Sequence, residues 1–195
     1  MTSTTDSRLI LDPTLPILGL AAWSGTGKTT LLEQLLPALG HAGIRSAVIK
    51  HAHHSFDVDQ PGKDSHRLRQ AGATPMLVAS RQRLALMLET PGEEDADLAM
   101  LVRMVMPLQP DLILVEGFKE WPLPKLELHR VGLGKSLLVE QDRWVQALAC
   151  DEPDAMSVSV PVLDINDQAA MVDWVVRWVR DWPSKCRALN GECRP

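Results

Sequence analysis

The chain is predicted to adopt an α/β fold, a mostly parallel sheet flanked by helices with additional antiparallel strands, and three observations lead to that class. Pro16 to Ala22 and Leu112 to Val115 are apolar without alternation, as expected of strands covered on both faces. A helical stripe and a second short apolar run, Ser46 to Lys50, follow the first strand at the spacing of a parallel crossover. A glycine-rich turn joins that first strand to its helix.

The elements follow in order. Residues 1–14 are largely polar and contain a proline, which predicts a flexible lead-in. After the first strand, Leu31, Leu32, Leu35, Leu36 and Leu39 recur at helical spacing, with Gly40 and Gly43 as stop signals and Pro37 expected to kink or shorten the helix. His51 to Lys63 reads as a loop closing on Pro61-Gly62, and Asp64 to Ala71 as a short helix. Met76 to Ala79 and Leu84 to Leu88 are runs of hairpin length. Leu98, Leu101, Val102, Val105 and Met106 form a further helical stripe, opened by Glu93, Glu94 and Asp95 and closed by Pro107.

Lys125 to His129 alternates polar and apolar residues, predicting a half-exposed strand nearer a sheet edge, and Val145 to Cys150 is a further strand. Met171, Trp174, Val175, Trp178, Val179 and Trp182 make an amphipathic helix capped by Asn166 or Asp167, its tryptophans expected to cover the sheet. Residues 183–195 show no periodicity and predict a flexible tail, leaving 15–182 as one domain.

Composition narrows the partners. A formal net charge of −5 argues against nucleic acid, whose phosphates need clustered Lys and Arg. No apolar run approaches the roughly 20 residues of a membrane span, and the N-terminal residues lack the pattern of a secretory signal. Cys150, Cys186 and Cys193 have no metal or redox spacing. A cytoplasmic protein is expected.

The chemistry is concentrated in AWSGTGKTT, Ala22 to Thr30. In a G-x-x-x-x-G-K-[ST] turn, main-chain N–H groups at the start of a helix converge on one anion. Gly25 and Gly27 permit the required backbone, Lys28 places an ammonium on β- and γ-phosphates, and the Thr29 hydroxyl is a Mg²⁺ ligand. Ala22 stands where the pattern has glycine, a small residue that still fits. The fold class thereby sharpens to P-loop NTPase-like. The expected cradle is Gly25, Thr26, Gly27, Lys28, Thr29 and Thr30, and the ligand a purine nucleoside triphosphate with Mg²⁺.

Such sites need an acidic group at the C-terminal end of a neighbouring buried strand. Glu116, closing LILVE, has that position and is expected to serve a metal-bound or attacking water; Lys28 and Glu116 are the expected catalytic residues. Asp57 and Asp59 lie in the loop after the second strand, and Asp59 is the preferred further metal ligand, a solvated acid being the alternative. His51, His53 and His54 have spacing for a transition metal, but without accompanying cysteines a structural or phosphate-proximal role is favoured. Two functional classes stay open on these residues: a small-molecule kinase and a nucleotide-driven metal chaperone.

Beyond single motifs, LAAWSGTGKTTLL, IKHAHHSFDVDQPGKDSHRLRQAGA, VASRQRLALMLETP, DLILVEGFK and VLDINDQ occur in an order that resembles the MobB family of molybdopterin-guanine dinucleotide biosynthesis adapter proteins. The resemblance implies a homodimeric, GTP-binding protein with weak GTPase activity. It also implies assistance to the guanylyltransferase MobA, which attaches GMP to molybdopterin, and contact with molybdopterin-carrying proteins. The nucleotide site it implies is Gly25 to Thr30, with Asp59 and Glu116 near the metal. Guanine preference rests on this resemblance alone, because no NKxD base-reading motif is present; Asp151 is a candidate reader, with helix capping as its alternative. The longer N-terminal lead and the Trp121-Pro122-Leu123-Pro124 stretch depart from the family pattern.

Overall fold

The structure, a computed structural model, describes residues 11–12, 14–52, 57–91 and 95–190. They form two compact units, one running up to His51 and resuming at Asp97, the other Ala52–Ala96. The expected single core is thus accompanied by a smaller second unit.

The larger unit is built on a six-stranded parallel sheet in the order β2-β5-β1-β6-β7-β8. Its strands are β1 (Ile17–Ala22), β2 (Ser46–Lys50), β5 (Leu112–Glu116), β6 (Lys125–His129), β7 (Val145–Cys150) and β8 (Val162–Asp164). β1 and β5 are buried almost throughout, which is why their sequences show no alternation. β1 lies between β5 and β6 while its own crossover leads outward to β2, so the topology switches direction at its C-terminal end. That edge is where a parallel sheet leaves room for a ligand.

Helix α1 (Lys28–His41) leaves that edge and packs against α4 (Gln168–Leu189). Leu31, Leu32, Leu35 and Leu39 are its buried face. Pro37 does not shorten it: the helix runs on for another turn and ends where Gly43 turns left-handed, at φ +80°. α3 (Leu98–Val105) begins at Asp97, whose carboxylate accepts from the amides of Ala99 (2.8 Å) and Met100 (3.2 Å). The cap is therefore Asp97 rather than the preceding acidic cluster, of which Glu93 and Glu94 lie outside the described residues.

Two expectations are corrected by packing. β6 is not near an edge but sits beside β1 with every residue buried. Leu126 and Leu128 enter the core, while Lys125 and Glu127 meet the segment 130–144 instead of water. Lys125 Nζ donates to Asp142 Oδ2 and to the Trp121 carbonyl, both at 2.7 Å. The Glu127 carboxylate accepts from the amides of Leu138 (2.7 Å) and Val139 (2.8 Å), and burial pushes its carboxyl upward despite those bonds. Polar alternation here marks a face covered by backbone donors.

The second correction concerns the C-terminal end. α4 is capped by Asp167 and continues through Pro183 to Leu189, beyond the expected stop at Trp182. The continuation is held from the N-terminal side: Trp182 Nε1 donates to the Asp12 carbonyl at 2.7 Å, and Asn190 Nδ2 to that of Leu11 at 3.1 Å. The tryptophan face is core, as expected, with Trp178 stacked on Trp174 at 5.5 Å and its Nε1 donating to the Ile17 carbonyl. The three-residue strand β8 has no counterpart in the sequence reading, being too short to show a period.

The second unit contains α2 (Asp64–Gln70) and an antiparallel hairpin of β3 (Met76–Ala79) and β4 (Leu84–Met87), the expected pairing. Its turn is closed by Ser80, whose amide donates to the Arg83 carbonyl at 2.8 Å. Leu77, Leu84 and Leu86 are exposed on it.

Candidate functional site

The AWSGTGKTT turn follows directly from β1. Gly25 and Gly27 take φ of +83° and +97°, values that L side chains rarely adopt, so the chain can curl here only because these positions lack a Cβ. Thr26 is buried between them, its hydroxyl donating to the Trp23 carbonyl at 2.7 Å and thereby closing the turn on itself. α1 then starts at Lys28 with no side chain capping it. Leu31 is the first residue after the turn whose amide finds a carbonyl, that of Gly27 at 2.9 Å. Among the described residues the amides of Gly27, Lys28, Thr29 and Thr30 have no protein acceptor, and Thr29 and Thr30 are exposed. Unpaired N–H groups at a helix start, with the helix dipole behind them, attract an anion.

Glu116 closes β5, in register with Leu20 of β1 on one side and Lys50 of β2 on the other. It is 8% exposed, and Lys50 Nζ lies 3.6 Å from its Oε2. The chain must turn sharply after it. Gly117 does so at φ +92°, and a Cβ there would meet His51 Cβ at 2.8 Å. His51 ties the two strand ends together, its amide donating to the Glu116 carbonyl at 2.8 Å and its ring stacking on Phe118 at 5.0 Å. That is the structural, site-proximal role favoured for it; His53 and His54 lie outside the described residues. Among the described residues no group of three or more His, Cys, Asp or Glu could hold a metal ion.

Asp59 belongs to the second unit. Arg69 holds it there, Nη2 donating to its Oδ1 at 2.8 Å, and the same guanidinium reaches Asp57 at 2.8 Å and Glu89 at 2.7 Å. The bond from Arg69 keeps the Asp59 carboxyl below the usual carboxylate range. Asp151, after β7, is similarly engaged: its Oδ1 accepts from the Val131 amide at 3.0 Å, and Arg130 lies 3.6 Å from its Oδ2. The Val131 bond is the main reason its carboxyl is also held low.

The sequence therefore identified the turn and the strand-end carboxylate, which the larger unit places on one edge of its sheet. It missed the cations that hold the acids. Lys50 and Arg69 stood inside the IKHAHHSFDVDQPGKDSHRLRQAGA segment without being given a role, and Arg130 carried only the signal of a basic residue immediately after a strand. The Trp23 indole was also passed over; its Nε1 donates to the Ser136 carbonyl at 3.0 Å, and Lys119 Nζ lies 5.0 Å from its ring centre.

The donor set fits a polyphosphate with a divalent cation: uncapped amides and an ammonium for the anion, and a hydroxyl and a buried carboxylate, both hard oxygen donors, for the metal. No helix among the described residues is long and apolar enough to cross a membrane.

The chain is 52% identical to the molybdopterin-guanine dinucleotide biosynthesis adapter protein of Escherichia coli (strain K12) over 85% of this chain and 94% of that protein. It is 40% identical to the protein of the same name from Haemophilus influenzae, over 88% and 93%. Among solved structures, Bacillus subtilis MobB superposes with a TM-score of 0.65 at 26% identity, covering 84% of this chain and 97% of that one. Residues 17–151, which include the phosphate turn, Glu116 and Asp151, match the family described as Molybdopterin guanine dinucleotide synthesis protein B, and the chain belongs to this MobB family.

Proposed function

We propose that the protein is a GTP-binding adapter with weak GTPase activity that assists a MobA-type guanylyltransferase in attaching GMP to molybdopterin. The reading rests on one observation above all: a glycine-shaped turn whose helix-start amides lack protein acceptors, with a buried carboxylate closing the adjacent strand. Membership of a family named for this biosynthesis, and relatives named as its adapter proteins, supply the pathway.

In this reading the turn Gly25 to Thr30 cradles the β- and γ-phosphates, with the amides of Gly27 to Thr30 and the Lys28 ammonium as donors, and fixes the nucleotide without covalent chemistry. The Thr29 hydroxyl and Glu116 would hold Mg²⁺, with Asp59 as the further candidate. What a bound Mg²⁺ supplies is neutralisation of charge on the polyphosphate. Glu116 then orients water. The partners are the guanylyltransferase, molybdopterin-carrying proteins and a second copy of this chain, in the cytoplasm.

Titration calorimetry with GTP and ATP in the presence of Mg²⁺ tests the reading. GTP should bind at least tenfold more tightly, and Lys28→Ala should abolish the heat of binding while leaving the fold intact. Equal affinities, or a preference for ATP, would remove the guanine-specific adapter role.

A further inference from the structure

We propose that Arg130 is a positioning residue for the phosphate turn, holding the Thr26–Gly27 peptide in the one orientation that aims the Gly27 amide at bound phosphate; the inference rests on the nucleotide reading above. Arg130 follows β6 directly, and its Nε donates to the Thr26 carbonyl at 3.1 Å. Thr26 stands one residue before the N-cap Gly27, so its carbonyl lies outside the helix's own hydrogen-bond series, which starts with the Gly27 carbonyl accepting from Leu31, and the guanidinium is its partner.

Peptide planarity gives the contact its consequence. C=O and N–H of a trans peptide point in opposite directions, so fixing the Thr26 oxygen also fixes the Gly27 N–H on the other side. With glycine on one side of that peptide, at φ +97°, rotation of the plane is sterically cheap. Flipped, the peptide would present a carbonyl oxygen to the phosphates in place of a donor. A charged donor on the carbonyl opposes the flip and polarises the amide.

The guanidinium is itself aimed. Nη1 lies 3.6 Å from Asp151 Oδ2, while Asp151 Oδ1 accepts the amide of Val131, the residue after Arg130. The carboxylate thus grips the arginine from both its side chain and its main chain. The same segment holds the turn at a second point, where Ser136 accepts from the Trp23 indole. On this account Asp151 serves the phosphates through Arg130, and not the nucleobase.

The test is nucleotide affinity with a readout that separates positioning from general stability. In Arg130→Ala the dissociation constants for GTP, GDP and inorganic pyrophosphate should rise together by about ten- to a hundredfold, as for loss of a charged hydrogen bond. Turnover at saturating GTP should stay within about twofold, because bound phosphate restores the peptide orientation. Added guanidinium at millimolar concentration should recover part of the affinity, and the Gly27 amide resonance of the free protein should broaden. Arg130→Lys and Asp151→Asn, which keep a charge or a shape, should lose about three- to tenfold. Wild-type-like affinity in Arg130→Ala, or a lowered melting temperature with unchanged affinities, would overturn the inference while leaving the nucleotide reading intact. A wild-type protein that binds no nucleotide would remove both.

Discussion

Glu116 and Asp59 are the two carboxylates expected near the metal, and they are held by cations in different ways. Glu116 is buried at the end of a central strand and faces one long lysine, Lys50, whose side chain is 58% exposed and whose nitrogen stands 3.6 Å away. Asp59 is bonded at 2.8 Å by Arg69, and that guanidinium also holds Asp57 and Glu89. An ammonium beyond hydrogen-bond distance on a flexible stem can leave at little cost. A planar guanidinium with several donors engaged cannot, because releasing one acid leaves its other bonds to be rearranged. Glu116 is therefore ready to exchange its cation for another, whereas Asp59 must first be released from a knot.

The comparison is broken most directly at Glu116. Glu116→Gln should lower GTP turnover by about a hundredfold or more, the scale of losing one group that acts on the reacting phosphates, with the nucleotide dissociation constant in EDTA unchanged. Phosphate release and calorimetry measure the two quantities; unchanged turnover would return Glu116 to a structural role. Asp59→Asn sharpens the contrast, since an acid already committed to Arg69 should cost turnover less than Glu116→Gln does.

Next in size is the knot. Arg69→Ala should raise limited proteolysis within Ala52–Ala96 by about tenfold, as local opening becomes easier, and leave cleavage of the sheet unit unchanged. Acid gives the same result without mutation. The Asp59 carboxyl is held low, first by Arg69, so its contribution is complete above the unfolded value near 4 and is lost as pH falls through the lower folded value. Cleavage of the second unit should therefore rise below about pH 4 in the wild type, and this acid sensitivity should be weaker in Arg69→Ala.

How much of this was legible depended on whether a residue's role was local. The phosphate turn could be read because its glycines, lysine and threonine are adjacent in sequence, and the strand beneath it because both its faces are buried. Glu116 could be read from its place after an unbroken apolar run. Lys125 and Glu127 misled, since alternation cannot tell water from a covering loop that donates its own amides. Trp182 marked the end of a visible stripe, but the helix goes on because Leu11 and Asp12 accept its hydrogen bonds from about 170 residues away. Arg69 reaches Asp57 and Asp59 across a loop whose spacing has no period, and Arg130 reaches the Thr26 carbonyl 104 residues away, so the residues could be seen in sequence but their pairing could not.

Lys50 offers the smallest and most discriminating effect. Its pair with Glu116 is solvent-screened on the lysine side, so Lys50→Ala should change the unfolding free energy by only about 0–1 kcal/mol. The same ammonium competes with any metal for the Glu116 carboxylate. Its removal should strengthen Mg²⁺ binding to the GDP-loaded protein by about two- to fivefold, the equivalent of a weak ion pair, even though a cation has been taken from a polyanion site and nothing added. A mutation that merely loosened β2 would weaken the metal instead. Magnesium titration of the GDP complex, followed by calorimetry at matched ionic strength, reads the sign: tighter binding makes Glu116 a carboxylate waiting for a metal, and weaker binding makes Lys50 part of the anion site.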